Sequence, residues 1–184
     1  EEAKFILDEN GIPEAVIIKE SKEAHQLIEE FMLLANIAVA TYVADIKNKK
    51  VLFPYRVHDT PDIEKLKPFV DFALQFGYTF DLTTPQTIAH SFNNMLKKSA
   101  EIPEQIILHT LGIRTMSKAI YTTENIGHYG LAFENYCHFT SPIRRYPDVL
   151  VHRILYALLQ DKYVADLDME KKCVHCSEKE RSAM

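Results

Sequence analysis

The sequence predicts a predominantly helical α+β fold with a minority of antiparallel strands. Three observations predict it. Apolar residues recur at helical spacing over several long segments. Short β-branched and aromatic runs are bounded by turn residues. Ser, Thr or Asp beside Pro opens the helical patterns, and Gly closes one of them. With 184 residues, 47% of them hydrophobic, the chain can bury a core of its own.

Phe5 to Leu7, the turn Asp8-Glu9-Asn10-Gly11, and Ala15 to Ile18 predict a β-hairpin. Ser21 then serves as N-cap of a long helix to about Asp45. Leu27, Ile28, Phe31, Leu34, Ala35, Ala38 and Val39 sit at helical spacing, and the small apolar residues predict burial on most sides. Val51 to Val57 predicts a short strand. Thr60-Pro61-Asp62 starts a helix through Phe76, stopped by Gly77, and Thr84-Pro85 starts another to Lys98. Pro103-Glu104 opens a helix expected to reach about Tyr121. Gly127 to Phe139 reads as extended chain in which glycines allow close backbone approach. Pro147 cannot lie deep in a helix, so a short turn at Pro142 to Arg145 is expected to precede a helix from about Pro147 to Gln160. A last helix starts near Asp168. The missing initiator Met and the uncapped end suggest a fragment of a longer protein.

Composition narrows the function classes. Net charge is −5, so any nucleic-acid contact must rest on a local basic site. Three cysteines make no disulfide framework, which fits a reducing cytoplasm. No uninterrupted apolar run comes near the ~20 residues of a membrane span, so no membrane partner is expected.

The most informative segment is His138-Phe139-Thr140-Ser141-Pro142-Ile143-Arg144-Arg145-Tyr146-Pro147-Asp148. Ser141 and Pro142 resemble an N-cap and first helical residue, yet two arginines follow where the dipole favours acids. An anion bound there would reverse that cost of roughly 0.3–1 kcal/mol per arginine. Backbone N–H groups, the Thr140 and Ser141 hydroxyls and two guanidinium groups form a candidate phosphate site. Asp148, at i+3 from Arg145 and i+4 from Arg144, can orient one guanidinium while the other meets the ligand. The plainer alternative is two surface arginines paired with acids.

Glu29 and Glu30 interrupt an apolar helix. One is expected to face solvent, the other to join Asn36 in a cleft and accept hydrogen bonds from ribose hydroxyls, unless both are simply solvated. His58-Asp59 suggests an HD-type metal site, but that family needs further His and Asp ligands on neighbouring helices, and Asp59 reads first as the start of the turn into the next helix. Cys173-Val174-His175-Cys176 supplies one ligand cluster where structural zinc needs two, so its spacing reads as one buried helix face. No acid cluster suited to catalytic magnesium is evident, and no P-loop, dinucleotide glycine motif or nucleophile elbow occurs. The metal-ligand set read from these residues is therefore none.

The segment from His138 to Asp148, continued by Val151-His152-Arg153, resembles the signature of the RNase II/RNase R exoribonucleases. Ile28-Glu29-Glu30-Phe31-Met32-Leu33-Leu34-Ala35-Asn36 is similar to that family's long-helix motif, and Tyr55-Arg56-Val57-His58-Asp59 to the segment after it. Ala119-Ile120-Tyr121, Glu124-Asn125 and Gly127 to Ala132 resemble the approach to the signature; His175-Cys176-Ser177 with Glu180-Arg181 resembles its closing part. The wording of these motifs is nearest RNase R. The resemblance implies that residues 1–184 are the C-terminal part of an RNB catalytic domain. Its parent would be a processive, magnesium-dependent 3′-to-5′ exoribonuclease that hydrolyses single-stranded RNA to nucleoside 5′-monophosphates. By the same resemblance Arg144 or Arg145, with Arg144 favoured, grips the scissile phosphate, and Glu30, or else Glu29, contacts ribose. Tyr121, His128 and Tyr129 line the RNA channel. The magnesium-binding aspartates and flanking OB-type domains are expected outside this chain, so the fragment alone is expected to be inactive. Two other functions stay open: a non-catalytic RNA-binding RNB-like module, and an HD-type phosphohydrolase using His58 and Asp59. The oligomeric state is not legible.

Overall fold

The computed structural model describes residues 2–19, 22–99 and 103–183. Strands β1 (Glu2–Leu7) and β2 (Pro13–Lys19) form the expected antiparallel hairpin. Asp8 Oδ1 accepts from Asn10 N at 2.9 Å and Ile12 N at 2.7 Å, which shapes the turn. Helix α1 spans Glu23–Ala44. The expected cap, Ser21, lies outside the described residues, and Lys22 occupies the N-cap position.

Burial of α1 differs from expectation. Among its described residues only Asn36, Ala40 and Val43 are buried, whereas Leu27, Ile28, Phe31 and Leu34 are each more than half exposed. Its second half packs into the core and its first half, with the hairpin, stands clear. By length and composition alone α1 is also long and apolar enough to cross a membrane. The Glu29-Glu30 pair interrupts its apolar run but leaves the helix apolar on average.

Strand β3 (Tyr55–Val57) is shorter than expected and pairs antiparallel with β4 (Ile120–Thr122), Arg56 opposite Tyr121. Between them lie α2 (Ile63–Leu74), α3 (Pro85–Lys98) and α4 (Gln105–Thr115). Asp62 caps α2 by accepting from Glu64 N, and Thr84 caps α3 by accepting from Thr87 N, as the Pro-flanked motifs predict. Helix α4 stops at Thr115, short of Tyr121, because Ile120 and Tyr121 are drawn into the sheet by β3. These three helices enclose their own core of Leu66, Phe69, Phe92, Met95 and Leu108, with the Phe69 and Phe92 rings stacked at 5.5 Å.

After a 3₁₀ turn at Tyr129–Leu131 the chain runs through irregular backbone to α5 (Tyr146–Leu159) and α6 (Met169–Ala183). A second core joins α1, both short strands, α5 and α6 through Phe53, Val57, Tyr121, Cys137, Val151 and Cys173. Burial of Phe53, Val57 and Val151 contributes roughly 1.5–3 kcal/mol each. Asn36 fastens α1 to the segment before α5: its Nδ2 donates to Tyr136 Oη at 3.2 Å and its Oδ1 accepts from Phe139 N at 2.9 Å.

Candidate functional site

The arginine segment folds as a short turn followed by a helix. Arg144 N and Arg145 N both donate to Ser141 O, at 3.3 and 3.1 Å, and Arg145 is the N-cap of α5 in extended conformation. The arginines therefore precede the first helical turn and do not occupy it. Pro147 fits there because its missing N–H has no partner to lose, and the acid Asp148 sits where the dipole favours it. The expected dipole conflict is thereby relieved, and Ser141 makes no side-chain cap.

Asp148 has 0% side-chain exposure. Its Oδ2 accepts from Ser141 N at 2.8 Å and from Arg145 Nη2 at 2.7 Å. One carboxylate oxygen thus sets both the turn and the Arg145 guanidinium. Arg144 is exposed and joins no ion pair among the described residues. Three buried atoms at this turn also lack hydrogen-bond partners among the described residues: Thr140 Oγ1, Arg145 Nε and Asp148 Oδ1. Both arginines face a cleft of about 630 Å³ that Tyr121, His175, Lys179 and Glu180 also line.

Along the cleft, α6 is tied to β3, β4 and the residue after β4 by polar side chains. Glu170 Oε2 accepts from Thr123 N at 2.6 Å, Ser177 Oγ accepts from Tyr121 N at 2.9 Å, and Glu180 holds Arg56 through two bonds of 2.6 and 3.1 Å. Arg56 lies over the Tyr121 ring, 4.6 Å from its centroid. The Tyr121 hydroxyl and His138 Nδ1 share a 2.8 Å hydrogen bond. Burial pushes the Tyr121 phenol up to about 12. Burial, then Arg145, Arg56, His128 and Arg144, push the His138 imidazole down to about 3. In a chain of net charge −5, three arginines acting on one imidazole mark a locally cationic site.

The remaining candidates lie apart from the arginine turn. His128 stacks on His58 at 5.2 Å, and its ring is driven down to about 4 by burial, then by His58 and Arg56. Its Nδ1 is buried without a partner among the described residues. The Tyr129 hydroxyl donates to Pro85 O at 2.9 Å. Rings link this group to the cleft, since Tyr136 touches both His128 and His138 at 5.3 and 5.8 Å between centroids. Glu29 and Glu30 are both exposed on the free half of α1 and form no hydrogen bond among the described residues, while Asn36 is spent on the core. The expected pairing of one glutamate with Asn36 in a cleft is not formed.

Asp59 Oδ1 accepts from Thr60 N at 2.7 Å and serves its own turn, whereas His58 Nδ1 accepts from Gly130 N at 3.1 Å and fastens the distant 3₁₀ turn. Cys173 is buried and Cys176 half-buried, both as free thiols. Among the described residues no three His, Cys, Asp or Glu side chains converge as metal ligands. The residues present therefore do not fit a magnesium site. Sequence reasoning missed Arg56, Glu180 and His138 as site residues. Only their places in the motifs pointed to them, because Arg56 and Glu180 meet across 124 residues.

Comparison with known proteins identifies the frame of this site. Residues 1–161 match the RNB domain family. Ribonuclease R 1 of Lactococcus lactis subsp. lactis (strain IL1403) is 38% identical over 189 residues, covering 100% of this chain and 23% of that protein. The structure of Mycoplasma genitalium RNase R in complex with ribose methylated single-stranded RNA superposes with a TM-score of 0.81 at 29% identity, over 98% of this chain and 29% of that one. Yeast Ssd1, described as a pseudonuclease, superposes with a TM-score of 0.68 at 28% identity, over 87% of this chain and 20% of its own. The chain thus spans about a quarter of the length of these relatives. An RNB match over most of its length, with RNase R likeness in both sequence and fold, places this chain in the RNB-domain family.

Proposed function

We propose that the chain supplies the phosphate clamp and part of the RNA channel of a processive 3′-to-5′ exoribonuclease that acts in the cytoplasm and releases nucleoside 5′-monophosphates from single-stranded RNA. The observation that carries this is the division of labour at the turn: Asp148 fixes Arg145, and the neighbouring Arg144 is left exposed at the same cleft. Arg144 donates to the non-bridging oxygens of the scissile phosphate and meets the charge that grows there during hydrolysis. Arg145 adds fixed positive potential from behind, and the free Thr140 hydroxyl donates beside it. Ser141 contributes through its backbone, whose N–H is committed to Asp148.

Glu30, with Glu29 beside it, accepts from ribose hydroxyls and favours RNA over DNA. Tyr121, half-buried His128 and Tyr129 shape the channel wall, Tyr121 chiefly by holding His138 and carrying Arg56. Magnesium, implied by the resemblance, is proposed to bind side chains outside these residues, and no step is assigned to it.

The test is hydrolysis of 5′-labelled single-stranded RNA by the full-length protein with magnesium. Conversion of the full-length label to short 5′ end products without accumulated intermediates, with 5′-monophosphates released, is expected. Tight RNA binding without any hydrolysis contradicts the enzyme and supports a non-catalytic RNA-binding module; the similar Ssd1 is described as a pseudonuclease.

A further inference from the structure

A second cavity, of about 740 Å³, lies between α3, α4, His58 just after β3 and the 3₁₀ turn that begins at Tyr129. Its volume is within the range of pockets that enclose small organic ligands, about 300–1,000 Å³. The interior is apolar, built from Phe92, Met95 and Met116. At one end stand the half-buried rings of His58 and Tyr129, parallel to within 9°. Arg114 and Lys118 line it as well; both are exposed and neither joins an ion pair among the described residues. No aspartate or glutamate lines the cavity, although the chain carries 26 acidic residues against 21 lysines and arginines. Asn93, also at the wall, has an amide with no hydrogen bond among the described residues.

An apolar slot with aromatic faces, a free amide and an acid-free cationic rim matches one ligand chemistry, a planar heterocycle joined to an anion. We propose that this cavity is a nucleotide subsite separate from the arginine turn. It takes one unpaired base of single-stranded RNA against His58 and Tyr129, with the adjoining phosphates on Arg114 and Lys118. Asn93 reads the base edge as donor and acceptor, so either purine or pyrimidine is accommodated. The proposal rests on the RNA-binding reading of the chain and adds a second point of contact to it. Two such points fix the register of a strand where one clamp would let it swing.

Fluorescence anisotropy of a labelled single-stranded RNA oligonucleotide, titrated with the full chain, tests it. Arg114→Ala with Lys118→Ala is expected to weaken binding about tenfold. It should also lower the slope of log K against log salt by about 1.4, the value for two phosphate contacts on a single strand. Ala89→Phe, which fills the cavity, is expected to weaken binding by about fivefold or more through loss of one stacked base. Photocrosslinking with a 4-thiouridine oligonucleotide is expected to mark the His58 or Tyr129 peptide. Unchanged affinity and salt slope in both variants, with crosslinks at the arginine turn alone, overturn the subsite and leave the cavity to an apolar protein segment. Failure of the unmutated chain to bind any RNA overturns the RNA reading itself.

Discussion

Replacing Asp148 should unfasten the arginine turn, and the cost can be worked from its contacts. Its side chain is wholly buried, and its Oδ2 accepts two bonds, from Ser141 N at 2.8 Å and Arg145 Nη2 at 2.7 Å. Breaking one partner of a fully buried ion pair costs about 3–5 kcal/mol. Arg145 keeps 19% exposure and can turn partly to water, which puts its share at the lower end. The orphaned Ser141 N–H adds about 1 kcal/mol. Asp148→Ala is therefore expected to lose about 3–4 kcal/mol. Asp148→Asn, which keeps an acceptor but no charge, should lose about half. With m near 2 kcal/mol per M, urea unfolding should show the alanine midpoint lowered by about 1.5–2 M at unchanged m. A double-mutant cycle with Arg145→Ala should return a coupling of about 1–3 kcal/mol. A loss below about 0.5 kcal/mol, or a coupling near zero, refutes the claim that Asp148 fixes the turn.

Three further outcomes follow from groups around the site. His138 and His128 titrate near 3 and 4 in the fold, below the ordinary histidine value of about 6.5. The unfolded chain thus binds more protons between those limits, so stability is fully present above about pH 6.5 and falls on acidification toward pH 3. Urea midpoints measured across that window should show this slope, and His138→Gln should flatten it. Gly127→Ala combines a φ of +81° with a new Cβ 3.2 Å from Phe133 O and should cost more than about 1 kcal/mol by urea melts; Gly77→Ala, at φ +83° with open space around it, should cost less. Burial raises the Cys137 and Cys173 thiols to about 12. A disulfide reagent at pH 8 should therefore label half-buried Cys176 first, and all three thiols only after unfolding.

Local chemistry made part of the fold readable. Thr84-Pro85 and Asp62 start helices because cap and orphan N–H lie within three residues of each other, and the structure keeps both. The Asp148 contact to Arg145 was legible for the same reason, being one helical turn long. The end of α4 was not. Ile120 and Tyr121 continue an apolar pattern, and only their partners at Tyr55 to Val57, more than sixty positions away, make them a strand. Distance in sequence also hid Arg56 and Glu180, whose pairing is invisible until α6 packs beside the sheet. The first half of α1 failed for another reason. An apolar stripe reads identically whether it is covered or bare, and Leu27, Phe31 and Leu34 are bare.

The phosphate clamp turns on Arg144, which is exposed, unpaired among the described residues and set beside a guanidinium that Asp148 holds in place. The most direct measurement is turnover of single-stranded RNA by the full-length protein carrying Arg144→Ala, with urea unfolding of the same variant. Because Arg144 holds nothing in the fold, its midpoint should correspond to a change within about 0.5 kcal/mol of the unmutated protein. Its kcat should fall by on the order of 10²–10³, the scale of a lost transition-state charge donor. Unchanged turnover in a stably folded Arg144→Ala protein would contradict the assignment of the phosphate clamp to this turn.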